Sequence, residues 1–358
     1  MATQAAGNEI LFFIPDLGGF TKFIAETEIQ HSQHIVKELL ELLVDANTLG
    51  MKVSEFEGDA VLFFRKGAAP SLDDLVRQSR KMYLDLHTYL KKFEYMRVCQ
   101  CGACAGAGGI TLKMVAHFGS AGTMQVKDHV KFVGKDIIIA HRLLKNSVDM
   151  REYLLVTQPT LVTLADPDSH LASFADGADA YDSLGTIEYR VRPLDGYLGE
   201  VKVEPPKPAG LKNPRKMAQL NRIVDAPMEQ IYQRLIDLPA RMDWIDGVTK
   251  VEMVGDKNYV GQTHRCVRGE EGVALTTTEV KVTESTMELW ETDQKKVSAC
   301  RYLLTRLPDG KTDLAVELYV QDNPIVRTIF RLLMQKKLTA FFSNSIANLA
   351  TLCEKEKS

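Results

Sequence analysis

Two aspartates, Asp16 and Asp59, are the residues of this chain best placed to do chemistry together. Asp16 stands in Phe13-Ile14-Pro15-Asp16-Leu17-Gly18-Gly19-Phe20-Thr21 and Asp59 in Glu55-Phe56-Glu57-Gly58-Asp59-Ala60, each beside an apolar run of the kind that buried strands give. Two carboxylates brought to one sheet edge offer hard oxygen donors for Mg²⁺ or Mn²⁺. The Gly18-Gly19 break leads into an amphipathic stretch from about Phe20 to Leu49. Free backbone N–H groups at such a strand-to-helix turn suit a phosphate, which makes Gly18, Gly19, Phe20 and Thr21 candidate nucleotide contacts. Gly58-Asp59 separates the strand-like runs Met51 to Phe56 and Ala60 to Phe64, and a hairpin there would carry Asp59 to the same rim. The alternative is ordinary turn chemistry, because aspartate beside glycine is common in turns.

A second chemistry is offered by Cys99-Gln100-Cys101-Gly102-Ala103-Cys104. Three closely spaced thiols supply soft ligands for Zn²⁺, with the fourth open among His117, His87 and a residue from another chain. The competing reading is a small-residue loop, since Ala103 to Gly109 is almost entirely Ala and Gly. His31 and His34 lie one turn apart with no carboxylate or cysteine spaced for a shared site, and neither they nor His117 is given a catalytic role.

The elements that must position these groups belong to a long chain. At 358 residues there is room for two full cores. The net charge of −3, with both signs interspersed, provides no basic face for nucleic acid. No signal-like start and no apolar run approaching about 18 residues is present, so the expectation is a cytoplasmic chain with no transmembrane segment. Strand-like Thr186 to Val191 and Gly199 to Val203 close the first half, and Pro205-Pro206-Lys207-Pro208 stiffens an extended linker. The expected division is residues 1–204, a linker 205–211, and residues 212–358.

The two aspartate segments resemble the class III nucleotidyl cyclases, whose first strand ends in Phe-x-Asp-Ile-x-Gly-Phe-Thr and whose next hairpin carries Gly-Asp-Ala. A third piece, Phe132-Val133-Gly134-Lys135-Asp136-Ile137-Ile138-Ile139-Ala140-His141-Arg142-Leu143, is similar to the cyclase Val-Gly-Asp-x-Val-Asn-x-Ala-x-Arg-Leu helix. The likeness extends to an uncharacterised bacterial branch of cyclase-like proteins. It implies a ferredoxin-like α+β domain, two metal ions on Asp16 and Asp59, a purine nucleoside triphosphate, Arg142 on its phosphates, and a homodimer with the site between subunits. Arg142 and Lys131 would then come from the partner chain.

Two departures limit the chemistry. Where the family places an Asn that positions the ribose, this chain has Ile138, and losing one oriented contact of this sort costs about two to three orders of magnitude in rate. Where adenylyl cyclases place Lys and then Asp to read the base, this chain has Glu55 and Lys131. Carboxylate toward N1/N2 and ammonium toward O6 would fit guanine. The alternative is a pair of exposed strand charges.

After the linker the pattern restarts as a strand Gln219 to Val224, a helix from about Pro227 to Leu238, alternating strands, and one long helix. Leu307-Pro308-Asp309-Gly310-Lys311 marks a turn between strands Arg301 to Leu307 and Asp313 to Val320. Asn323-Pro324 reads as an N-cap followed by proline at the first helical position, opening a helix to about Cys353. Its stripe of Ile329, Phe330, Leu333, Leu338, Phe341, Phe342, Ile346 and Leu349 is expected to lie across the sheet. The element order, Asn221 to Pro227, and Asp243 to Val248 resemble the helix-grip fold of the START and polyketide cyclase/dehydrase-like superfamily over roughly residues 212–356. That implies an apolar ligand between sheet and long helix, with Trp244, Tyr259, His264, Trp290, Tyr302 and Phe341 as candidate lining residues. The alternative is a closed core built from the same side chains.

Two function classes remain open. One is a purine nucleotide and divalent-metal binding protein, a degenerate guanylyl or adenylyl cyclase regulated by the second domain. The other is a non-catalytic carrier or sensor of a small apolar ligand, with the cyclase-like half serving dimerisation or nucleotide sensing.

Overall fold

The computed structural model describes residues 9–19, 29–163, 171–208, 210–253 and 258–356. It divides into two compact units, Met1–Glu94 with Cys101–Val203, and Tyr95–Gln100 with Glu204–Ser358.

In the first unit β1 (Glu9–Gly18) is apolar without alternation, and Ile10 through Ile14 are all buried. A strand of that composition belongs in the middle of a sheet covered on both faces. β1 lies between β3 (Ala60–Lys66) and β4 (Thr111–Ser120), with β2 (Lys52–Glu57) beyond β3. The order β2-β3-β1-β4, wholly antiparallel, with α1 (Ile29–Asp45) and α2 (Leu72–Met96) in the crossovers, is the expected ferredoxin-like arrangement.

A separate hairpin of β5 (Gly122–Val126) and β6 (His129–Val133) follows, and then α3 (Lys135–Arg142). α3 lays Ile137 and Ala140 on Ile10, Phe12, Ile14 and Leu62. β7 (Tyr153–Thr157) pairs parallel with β4, and β9 (Gly185–Pro193) and β8 (Ala175–Tyr181) complete seven strands. The strand expected at Gly199 to Val203 does not form. Asp195–Glu200 is a 3₁₀ helix, its end closed by the Val201 N–H on the Leu198 carbonyl.

The second unit is a seven-stranded antiparallel sheet. Its strands are β10 (Pro214–Val224), β11 (Lys250–Met253), β12 (Thr263–Arg268), β13 (Glu271–Val282), β14 (Thr286–Asp293), β15 (Ser298–Arg306) and β16 (Thr312–Gln321). The order is β10-β16-β15-β14-β13-β12-β11, the first strand closing against the last. α4 (Met228–Ile236) and α5 (Arg241–Trp244) pack with the long C-terminal helix α6 (Gln335–Glu356), giving the helix-grip form expected from the sequence.

Asn323 caps the approach to α6, its side chain accepting from the N–H groups of Ile325 and Val326. Pro324–Ile329 is α-helical, Phe330–Met334 is a π turn, and α6 follows. A π turn adds residues to the turn and shifts the helix phase. The apolar stripe is therefore not continuous: Phe330, Ile346 and Leu349 are buried, whereas Ile329 and Leu333, expected on the sheet, face solvent. No helix among the described residues is long and apolar enough to cross a membrane.

Candidate functional site

The β2–β3 hairpin closes in two residues, and Gly58 supplies the left-handed backbone (φ +64°) that such a turn needs. Register then places Asp16 opposite Ala60, while the Leu17 N–H donates to the Asp59 carbonyl at 3.1 Å. The two carboxylates feel each other. Burial raises the Asp59 carboxyl above its ordinary value, and the negative charge of Asp16 adds to this. Burial raises Asp16 likewise, against the pull of Lys113.

Lys113, on β4 directly across from Asp16, is the residue that sequence reasoning missed. Its ammonium lies 3.1 Å from Asp16 Oδ2 and donates to the Leu144 carbonyl at 2.7 Å. The signal was a lone lysine inside the apolar run Leu112 to Phe118. Oxygen donors of this kind fit a hard divalent cation, but on Asp16 that cation competes with an ammonium already in place.

Gly18 ends β1 and Gly19 turns out of it. Phe20 and Thr21 lie outside the described residues. Arg142 ends α3 and is exposed. Ile138, one turn earlier, is 49% exposed, so an apolar side chain stands in solvent where the cyclase pattern has Asn. Lys131 was expected to act from a partner chain; within this chain its Nζ lies 3.4 Å from Glu55 Oε2. His141 Nδ1 lies 2.9 Å from Glu57 Oε2 on the same strand as Glu55. This rim is cross-paired rather than bare.

Cys101 and Cys104, in the first unit, hold their sulfurs within 4.8 Å of each other, and Cys104 is buried. Cys99 belongs to the second unit, where its thiol meets the Gln233 side chain at 3.5 Å. His87 and His117 are engaged elsewhere. His87 Nε2 lies 2.8 Å from Glu152. Buried His117 joins Thr157 (2.8 Å) to Asp136 (3.2 Å).

The second unit holds a cavity of about 290 Å³ between the sheet and α6, and Trp244, Tyr302 and Phe341 line it. The other three expected lining residues do not. Trp290 falls on the opposite face of β14, since Met287, Leu289 and Glu291 point inward, and it packs on Tyr319 with ring centroids 4.8 Å apart. Tyr259 forms an isolated antiparallel bridge with Arg97. His264 is taken up by a buried ionic group: Arg241 grips Glu291 through two bonds of 2.7 and 3.1 Å and donates to His264 Nε2 at 2.8 Å. With Leu235 O accepting the rest, all five Arg241 N–H groups are used. Arg241 borders the cavity and has no donor left for a ligand. The Trp244 indole N–H, buried and without a hydrogen-bond partner among the described residues, does.

Residues 218–354 match the family described as polyketide cyclase / dehydrase and lipid transport, the resemblance that the second half carried in its sequence. Residues 36–153 match a protein family of unknown function, DUF2652. An uncharacterised protein of Mycobacterium tuberculosis is 34% identical over 138 residues, 38% of this chain and 63% of that protein, so the match spans less than two thirds of the relative's length. Among solved structures, the adenylyl cyclase CyaB from P. aeruginosa is 14% identical, with TM-score 0.35 over 51% of this chain and 93% of that one. The guanylate cyclase domain of RhGC from Catenaria anguillulae, in complex with GTP, is 19% identical, with TM-score 0.35 over 52% of this chain and 97% of that one.

Proposed function

We propose that the protein binds a small apolar molecule in the cavity of its second unit. The observation that carries this reading is the cavity itself: about 290 Å³ walled by Trp244, Tyr302, Phe330, Phe341 and Phe342, with one unmet donor on Trp244. Ligand sites have this make-up, an apolar wall with few polar groups, and the volume suits a compact ligand. A filled core would have no such space. Medium-chain fatty acids and flat aromatic molecules, titrated by calorimetry, test it. The expected result is saturable heat, with an affinity that Leu338→Trp, which fills the cavity, weakens at least about tenfold. Absence of saturable binding by any of them would remove the reading.

A second reading rests on the raised carboxyls of Asp16 and Asp59, two acids whose burial and mutual repulsion favour a bound cation. In it, the first unit holds Mg²⁺ or Mn²⁺ on these aspartates and a purine nucleoside triphosphate beside Glu55, Lys131 and Arg142, as a homodimer. A bound divalent cation would neutralise the phosphates of that nucleotide. Arg142 supplies a further positive charge, and Lys113 must leave Asp16 for the cation to enter. Ile138 offers no hydrogen bond to a ribose, so binding is favoured over turnover. Incubation with GTP and ATP in Mn²⁺ decides the matter of turnover: cyclic nucleotide above an Asp59→Ala control would establish a cyclase. Calorimetry with Mn²⁺ alone tests the metal, and heat unchanged by Asp59→Asn would rule out this pair as its site.

A further inference from the structure

The segment that leads into α6 is apolar on two sides at once. Phe330, Met334 and Leu338 turn toward the cavity, yet Leu332 (77% exposed), Ile325 (70%), Leu333 (68%) and Ile329 present aliphatic surface to solvent within nine residues. A helix on the outside of a water-soluble fold keeps its outer face polar, and contiguous exposed aliphatic surface marks a binding surface. The charges interleaved with this patch are all of one sign. From Pro324 to Cys353 the chain has Arg327, Arg331, Lys336 and Lys337 and no acidic residue. Arg327 pairs with Asp322 at 2.9 Å, while Arg331, Lys336 and Lys337 have no ion-pair partner among the described residues.

We infer that the face formed by Ile325, Ile329, Leu332 and Leu333 with Arg331, Lys336 and Lys337 docks on the surface of an anionic phospholipid bilayer. Bulky aliphatics that enter the acyl boundary, ringed by cations that meet lipid phosphates, are the combination such a surface selects. A protein partner would need an apolar groove lined with acids, and a second copy of this face would set cation against cation. The docked face and the cavity share a wall, since Phe330, Met334, Lys337 and Leu338 all border the cavity. A bilayer would therefore stand beside the chamber that an apolar ligand enters.

The test is co-sedimentation of the full chain with phosphatidylcholine vesicles, with and without about 30% phosphatidylserine. The wild type is expected to pellet with the anionic vesicles and far less with the neutral ones. Leu332→Glu/Leu333→Glu should reduce the bound fraction at least about tenfold. Lys336→Gln/Lys337→Gln, which leaves the aliphatic surface intact and guards against a misfolded first variant, should abolish the preference for anionic lipid. Val282→Glu, at an exposed valine elsewhere, should pellet as the wild type does.

Wild type remaining in the supernatant with both vesicles, or all variants pelleting alike, would overturn the inference. So would a wild-type dimer that Leu332→Glu/Leu333→Glu dissociates without any vesicle binding, because the face would then belong to a second copy. The measurement needs no ligand in the cavity, so a protein that docks without binding any apolar molecule would sink the cavity reading and leave this one standing.

Discussion

Arg241, Glu291 and His264 are all buried in the second unit, and charges there persist only when paired. Burial works against the Glu291 charge, but the Arg241 guanidinium paired with it more than offsets this, so its carboxyl stays below the ordinary range. Glu291→Ala would leave the guanidinium buried without a counter-charge and should cost about 3–5 kcal/mol in urea unfolding. Arg241 can only donate, so His264 Nε2 must accept and its proton sits on Nδ1. Burial holds the imidazole pKa down to about 4, against 6.5 unfolded. The stability gained by keeping it neutral is complete above pH 6.5 and is lost as pH falls from 6.5 toward 4, about 3 kcal/mol in all. Unfolding free energies of wild type and His264→Gln across that window should diverge, the wild type falling more steeply with acid. Equal slopes would place the titrating group elsewhere. None of this was legible in the sequence, where His264 was one aromatic ring among several. Its partners stand 23 residues before it and 27 after it.

At the scale of elements, two junctions carry much of the architecture. α3 docks on β4 through Asp136, which accepts from the Ser120 N–H at 2.7 Å and reaches His117. That approach requires a glycine at 119, where a Cβ would lie 2.3 Å from Asp136 Cγ. Gly119→Ala should cost about 1–3 kcal/mol in chemical denaturation and reduce protection of α3 amides in hydrogen exchange. At the other junction, Asn323→Ala removes the cap from the segment before α6 and should cost about 1 kcal/mol; an unchanged unfolding midpoint would show that the cap is idle. The cap was readable in advance, because Asn followed by Pro is a local signal. The π turn at Phe330–Met334 was not, since a period of 3.6 extended through it carried Leu333 to the wrong face.

At the scale of the molecule, the second unit includes Tyr95–Gln100, a segment far from it in sequence. Val98 is buried in the second core and its carbonyl accepts from Tyr232 Oη at 2.9 Å, while the Met96 carbonyl accepts from the Val260 N–H at 2.8 Å. Val98→Ala should therefore lower the stability of the second unit by about 2 kcal/mol and leave the first nearly unchanged. Hydrogen exchange resolved by segment would show this, and a uniform loss across both units would contradict it. The expected division at 205–211 followed the prolines. A short segment donated from elsewhere has no compositional mark.

What the sequence determined is local or periodic. The solid apolar β1, the Gly58-Asp59 hairpin, the Asn323 cap and the restart after the prolines each depend on neighbours within a few residues, where side-chain chemistry acts on the backbone directly. Tertiary structure alone decided which distant groups meet. Register put Lys113 on Asp16 and Lys131 beside Glu55, strand parity turned Trp290 away from the core and Glu291 inward onto Arg241, and a shifted helix phase set Leu332 and Leu333 in water. Such outcomes turn on a single residue of register or phase, and one residue reverses the face on which a side chain lies.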